Sequence, residues 1–169
     1  GKMSKRTGFS AEALSELSFA AQQSGTSIEA FENGARRMQR TITDAGMGMK
    51  SAADALDVLG LSYSQLSKLS PEEQFKLIAD RLSQIKNPTT RAAIAMMIFG
   101  RSGTALLPML EKGAAGINEL MEEARALGLT MSSEDAAAAE DFTDTLGRLW
   151  KVVKMSTFQI GAALAPSLQ

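Results

Sequence analysis

Residues 70–103 read SPEEQFKLIADRLSQIKNPTTRAAIAMMIFGRSG, and this stretch decides the fold. Ser70, Pro71 and Glu73 form a capping box. The Ser70 oxygen can take an orphan amide of the first turn, Pro71 gives up an N–H that has no helical partner, and Glu73 can reach back. A helix from there to about Ile85 follows. Asn87-Pro88 repeats the device, and the segment it launches, residues 92–99, is apolar on every face. Such a segment is expected to be the central buried helix. Gly100 stops it.

Outward from this stretch the pattern stays helical. Leu106, Leu107 and Leu110 belong to a helix of about ten residues, with Pro108 either near its first turn or kinking it. Gly113 and Gly116 separate that helix from residues 117–127, where Ile117, Leu120, Met121 and Ala124 share a face. A small motif recurs as Thr7-Gly8-Phe9-Ser10, Ser24-Gly25-Thr26-Ser27, Leu59-Gly60-Leu61-Ser62 and Leu127-Gly128-Leu129-Thr130. Glycine accepts the left-handed conformation that closes a helix, and a hydroxyl two positions later can open the next. Ser10 therefore starts a helix to about Gln23, with Leu14, Leu17 and Ala21 on one face.

Two longer seams stand out. Ile28, Phe31, Ala35, Met38, Ile42, Ala45, Met49, Ala52, Leu56 and Leu59 alternate steps of three and four, the pattern of a coiled coil or a long bundle helix. Gly46 and Gly48 interrupt it and predict a kink or break. Residues 133–164 form the second: Phe142, Leu146, Leu149, Val153 and Ile160 line a seam with Ser156 as its gap. Its early residues Glu134, Asp135, Glu140, Asp141 and Asp144 and its later Arg148, Lys151 and Lys154 follow the helix dipole. This seam is a candidate surface for self-association. The expected fold is thus all-α: a multi-helix bundle with a buried central helix and two long amphipathic segments. Residues 1–6 are expected to be a flexible N-terminal segment, Gly1 a cloning remnant, and residues 7–169 one helical unit.

Composition narrows the chemistry. The chain of 169 residues contains no cysteine and no histidine, which removes thiolate nucleophiles, imidazole bases and the commonest zinc ligands. A net charge of -1 argues against general nucleic-acid binding. The longest unbroken apolar run, residues 92–99, is far shorter than the roughly twenty residues a spanning helix needs. The run at residues 158–165 is also too short, although amphipathic insertion stays open.

Candidate motifs each have a plainer reading. Gly46-Met47-Gly48-Met49-Lys50-Ser51 hints at a phosphate loop, but Asp44 and Met49 stand where that loop needs glycine. Gly100-Arg101-Ser102-Gly103 misses the nucleophile elbow, and no histidine exists to activate Ser102. The carboxylates Glu72, Glu73, Glu122, Glu123 and those from Asp135 to Asp144 fit first turns and solvent faces. Met96, Met97, Met109 and Met121 are expected to fill the core rather than form an adaptable surface. Arg36, Arg37 and Arg40, with Lys2, Lys5 and Arg6, read as solvated faces. The turn Phe99, Gly100, Arg101, Ser102 and Gly103 has two readings, structural and interactive. In the favoured structural one, Gly100 closes a helix, Ser102 caps the next, and Arg101 donates to helix-end carbonyls.

The order of these words, Ser-Pro-Glu-Glu-Gln-Phe at 70–75, Ile-Ala-Asp at 78–80, Asn-Pro-x-x-Arg-Ala-Ala at 87–93, Phe-Gly-Arg-Ser-Gly at 99–103, Leu-Leu-Pro at 106–108, Gly-Ala-Ala-Gly-Ile at 113–117 and Leu-Gly-Leu at 127–129, resembles the core region of tail tape measure proteins of long-tailed bacteriophages and prophages. The resemblance extends from about Thr7 to Trp150. It implies an internal fragment of a longer, mainly helical protein that sets tail length while tube subunits polymerise around it, and that leaves the tail ahead of the DNA. It further implies a structural, non-enzymatic role without cofactor or metal. The partners so implied are tail tube protein, tail assembly chaperones and tail-tip or baseplate proteins, in the host cytoplasm during assembly and in the tail lumen of the virion. The alternative expectation is a helical binding or membrane-active module that helps cross the envelope.

Overall fold

In the computed structural model the described residues are 7–132. Every regular element among them is helical: α1 Ala11–Gln23, α2 Ile28–Gly46, α3 Lys50–Val58, α4 Tyr63–Leu66, α5 Pro71–Ser83, α6 Pro88–Phe99, a 3-10 turn Gly100–Ser102, α7 Gly103–Leu110 and α8 Gly113–Ala126. The expected all-α class is what these residues adopt. The segments 1–6 and 133–169 lie outside the described residues, and with them the seam Phe142, Leu146, Leu149, Val153 and Ile160.

The boundaries follow from side-chain chemistry. Ser10, Ser27, Ser62, Ser70 and Asn87 each accept a hydrogen bond from the amide three residues on, so one orphan donor at each start is satisfied. The recurring glycine motif closes helices by a shared geometry. At Gly25, Gly60 and Gly128 φ is positive, and the next amide bonds back to the carbonyl five residues earlier: Thr26 to Ala21 at 2.8 Å, Leu61 to Leu56 at 3.0 Å and Leu129 to Ala124 at 2.9 Å. This is the Schellman closure. Gly48 makes a fourth, with the Met49 amide 2.9 Å from the Asp44 carbonyl.

That fourth closure settles the long seam at 28–59. Instead of one rod, the chain turns at Met47–Met49, and α3 packs against α2 and α6. Ile28, Phe31, Ala35, Met38, Ile42, Leu56 and Leu59 are buried in one shared core and Ala52 is buried as well, whereas Met49 drops out of the seam at 51% exposure. The apolar stripe is spent inside the domain. Gly116, expected to separate two helices, lies within α8; Gly113, at φ 68, is the break. Pro108 lies inside α7, which ends two residues later.

The expected central helix needs correcting. In α6, Ile94, Ala95, Ile98 and Phe99 are buried, but Met96 and Met97 are 49% and 41% exposed. An all-apolar composition does not say which side meets the core. The helix at the centre is α2, which packs against α1, α3, α4, α5, α6, the 3-10 turn and α7. A run of edge-to-face rings crosses it: Phe9 to Phe31 at 6.0 Å, Phe31 to Phe75 at 5.5 Å and Phe75 to Phe99 at 5.9 Å between centroids. Offset ring edges meeting ring faces add about 0.5–1.5 kcal/mol per pair beyond area burial.

Polar side chains then tie helix ends to their neighbours. Arg81 donates to the Leu59 carbonyl at the end of α3, at 2.9 Å. Arg91 donates twice to the Ile85 carbonyl beyond α5, at 3.0 and 2.6 Å, and pairs with Glu111 at 3.1 Å. On α1, the buried Glu16 accepts from Thr130 at 2.8 Å and pairs with Arg125 at 3.3 Å, while the Met131 amide donates to Ser15 at 3.0 Å. These bonds hold the segment after α8 against α1.

Candidate functional site

The turn singled out by the sequence sits where α6, α7 and α2 meet. Phe99 is buried and ends the row of rings. Gly100 has φ 69 and ψ -149, a conformation that only glycine enters at little cost. Gly103 is there for a different reason. A β-carbon on it would lie 2.6 Å from the Ala95 carbonyl oxygen and 2.9 Å from the Met96 amide nitrogen, so α7 leaves α6 with backbone against backbone. From the other side Thr41 of α2 donates to the Ile98 carbonyl at 2.9 Å and Arg37 lays its stem across Gly100. Gly34 faces Leu106 and Ser102. The turn is wedged on three sides.

Two of its expected roles are corrected. Ser102 makes no side-chain cap, because α7 grows directly out of the 3-10 turn and Ser102 itself has helical angles. Arg101 donates to no helix-end carbonyl; it is exposed and has no hydrogen bond or ion pair among the described residues. The work assigned to it falls to Arg91 and Arg81. A sequence signal for Arg91 existed in its position four residues after the Asn87 cap, one turn above a helix start, but nothing local distinguished it from Arg101.

Beside the turn lies a cleft of about 160 Å³, lined by Arg37, Thr41 and Asp44 of α2, by Met49, Ser51 and Ala52, and by Met97 of α6. Met47, two residues before the lining Met49, is 81% exposed, and Met96 and Met97 present sulfur-bearing side chains to solvent. The expectation that Met96 and Met97 fill the core fails, whereas Met109 and Met121 are buried as expected. The cause is helix geometry. Ile94, Ala95, Ile98 and Phe99 already occupy the inward arc of α6, and residues 96 and 97 are turned away from it. Arg37 joins Arg101 in lacking an ion-pair partner among the described residues, while Arg36 bonds Asn33 at 2.6 Å and Arg40 reaches Asp44 at 4.0 Å. The charged lining of the cleft is thus one guanidinium, Arg37, and one carboxylate, Asp44, and Met49 and Met97 supply its large apolar side chains.

A second cleft of about 120 Å³ runs between Ala45, Ala53, Leu56, Asp57, Leu61, Ser62 and Tyr63. Pockets for small molecules typically enclose about 300–1,000 Å³, so both clefts suit one or two side chains. The carboxylates expected on solvent faces are distributed: Glu72 and Glu73 stand in the first turn of α5, Glu122 and Glu123 on α8. Among the described residues no three acidic side chains converge as a metal cage. The Gly46–Ser51 stretch is a helix break and not a loop after a strand.

One further property emerges from α6 and α7 together. Pro88–Leu110 spans 23 residues with a mean hydropathy of 1.4 over its most apolar window, 44% of it buried. By length and composition it is long enough to cross a bilayer, contrary to the expectation drawn from unbroken apolar runs. Small and hydroxyl residues such as Gly100, Ser102 and Thr104 interrupt such a run without lowering its hydropathy much. In the fold the same segment is broken at Gly100 and buries one face in the core. No protein-family model, curated protein or solved structure matches this chain.

Proposed function

We propose that the chain is a structural, non-enzymatic helical module of a phage or prophage tail tape measure protein. The observation that carries this reading is the order of motifs from Ser70 to Leu129, each in the family-like sequence and each at a helix boundary or packing contact: Ser70 and Asn87 caps, the Gly100 stop, Gly103 against α6, and the Gly128 closure. A non-enzymatic role is supported by a sequence that contains neither cysteine nor histidine. In this proposal the domain is a compact node in a longer rod. The seam at Phe142 to Ile160 continues it or pairs with another copy. Tube protein, assembly chaperones and tail-tip or baseplate proteins are the partners, first in the host cytoplasm and then in the tail lumen.

The test is an in-frame deletion of residues 7–132 in the gene that encodes the chain. Tails measured by negative-stain electron microscopy should shorten in a discrete step; tails of unchanged length overturn the reading. A second reading is a membrane-active module, favoured by the apolar Pro88–Leu110 segment and the exposed Met96 and Met97. Flotation with anionic and zwitterionic liposomes separates it. Protein that stays at the bottom of the gradient with both lipid types refutes the membrane reading and leaves the tail-length reading untouched.

A further inference from the structure

We infer that Asn33 is a site of spontaneous deamidation that the fold holds shut, and that the reaction, once the central helix α2 has opened, keeps that helix from reforming. The chain has three asparagines, Asn33, Asn87 and Asn118, and they are followed by Gly34, Pro88 and Glu119. In a flexible chain the backbone nitrogen of the next residue attacks the carbonyl carbon of the asparagine side chain. A C–N bond forms, the bond from that carbon to Nδ2 breaks, and ammonia leaves with the proton that the backbone amide gives up. Water then opens the five-membered imide at one of its two carbonyls, giving aspartate or, as the main product, isoaspartate. Glycine has no side chain to hinder the attack. Pro88 has no N–H to lose, and the Glu119 side chain obstructs the reaction at Asn118. Local chemistry therefore singles out Asn33.

Burial does not protect this residue, because Asn33 is exposed to water. Conformation does. In the second turn of α2, helical angles keep the Gly34 nitrogen turned away from the Asn33 side chain and commit its N–H to the carbonyl four residues back. Asn33 Oδ1 also accepts from Arg36 at 2.6 Å, which ties the carboxamide along the helix. Packing requires the glycine that makes the pair labile: a β-carbon on Gly34 would run into the buried Leu106 side chain of α7. Since α2 packs against α1 and α3 to α7, unwinding it at Asn33 disturbs most of the domain. The product then blocks the return. Isoaspartate carries the main chain through its β-carbon, so one extra methylene enters the backbone between Phe31 and Ala35, both fully buried, and the helical bonds across it lose their register. A carboxylate alone does not have this effect, because an ordinary aspartate at this position still accepts from Arg36. The inference does not depend on the tail reading.

The full chain is incubated in mildly alkaline buffer, with and without urea above its unfolding midpoint, and peptide mapping by mass spectrometry follows deamidation at each asparagine. In buffer alone Asn33 should react at least about tenfold more slowly than in urea, because only the open form reacts. In urea it should outpace Asn118 and Asn87. After urea is removed, the isoaspartate fraction, resolved by chromatography, should lack the cooperative melt of the parent. Asn33→Gln protein given the same treatment should refold, and so should Asn33→Asp protein. Equal rates with and without urea, a faster reaction at Asn118, or isoaspartate chains that melt like the parent overturn the inference. An Asn33→Asp chain that does not fold would place the block in the charge rather than the backbone, and overturns it as well.

Discussion

Replacing Gly103 by alanine sets two physical effects against each other. Gly103 has φ -53 and ψ -42, ordinary helical angles, so by intrinsic propensity alone alanine should stabilise α7 by about 1 kcal/mol. Packing predicts the reverse. The new β-carbon would stand 2.6 Å from the Ala95 oxygen, 2.7 Å from its carbonyl carbon and 2.9 Å from the Met96 nitrogen. All three are backbone atoms of α6 that no rotamer change can move aside. Ordinary contact begins near 3.4 Å, so α7 must retreat by 3.4 − 2.6 = 0.8 Å at the tightest point. Leu106, Met109 and Leu110, all fully buried, would be pulled with it. Overpacking of this kind costs about 1–3 kcal/mol and sometimes more. With three immovable backbone contacts the cost belongs in the upper part of that range, about 2–3 kcal/mol, and subtracting the propensity gain of about 1 kcal/mol leaves a net loss of about 1–2 kcal/mol. With a urea m-value of about 2 kcal/mol/M, the midpoint should fall by about half to one molar. Ala105→Gly, at an exposed site of the same helix, measures the local propensity and should cost about 1 kcal/mol. A Gly103→Ala midpoint equal to or above the parent value, with Ala105→Gly behaving as stated, would refute the packing argument.

Other expectations are equally direct. Phe31→Ala removes the ring that contacts both Phe9 and Phe75 and should cost about 3–5 kcal/mol by chemical denaturation. A loss under 1 kcal/mol would mean that the row of rings is not central to the core. Thr41→Val keeps shape but leaves the Ile98 carbonyl without its side-chain donor, for a loss of about 1–3 kcal/mol, and hydrogen exchange at the end of α6 should accelerate. Arg91→Met should destabilise by about 1–2 kcal/mol, nearly independent of salt up to 0.5 M, because the two bonds to the Ile85 carbonyl rather than the half-exposed pair with Glu111 carry the effect. A strong salt dependence would reverse that assignment. Ser70→Ala should cost about 1 kcal/mol and fray the first turn of α5, visible as lost amide protection at Glu73.

Local chemistry determined much of this protein. A hydroxyl or amide side chain that accepts the amide three residues on fixes a helix start, and a glycine with positive φ fixes its end; both act within six residues. For that reason the starts at Ser10, Ser27, Ser62, Ser70 and Asn87 and the closures at Gly25, Gly60, Gly100 and Gly128 were legible in the sequence. So was the all-α class. What the sequence did not carry is which apolar surface meets which. Residues 92–99 are apolar on every side, and only the arrangement of α2, α3 and α7 around them leaves Met96 and Met97 outside. The unbroken stripe at 28–59 suits a rod or a folded pair equally; the Schellman closure at Gly48 turns it inward. Arg91 and Arg101 look alike in sequence, yet the first is placed beside an open carbonyl and the second faces water. Hydrogen bonds spanning a few residues are properties of the chain, whereas burial and long-range pairing belong to the assembled fold. The cleft that joins Arg37 and Asp44 of α2, Met49 and Ser51 at the start of α3 and Met97 of α6 exists only there.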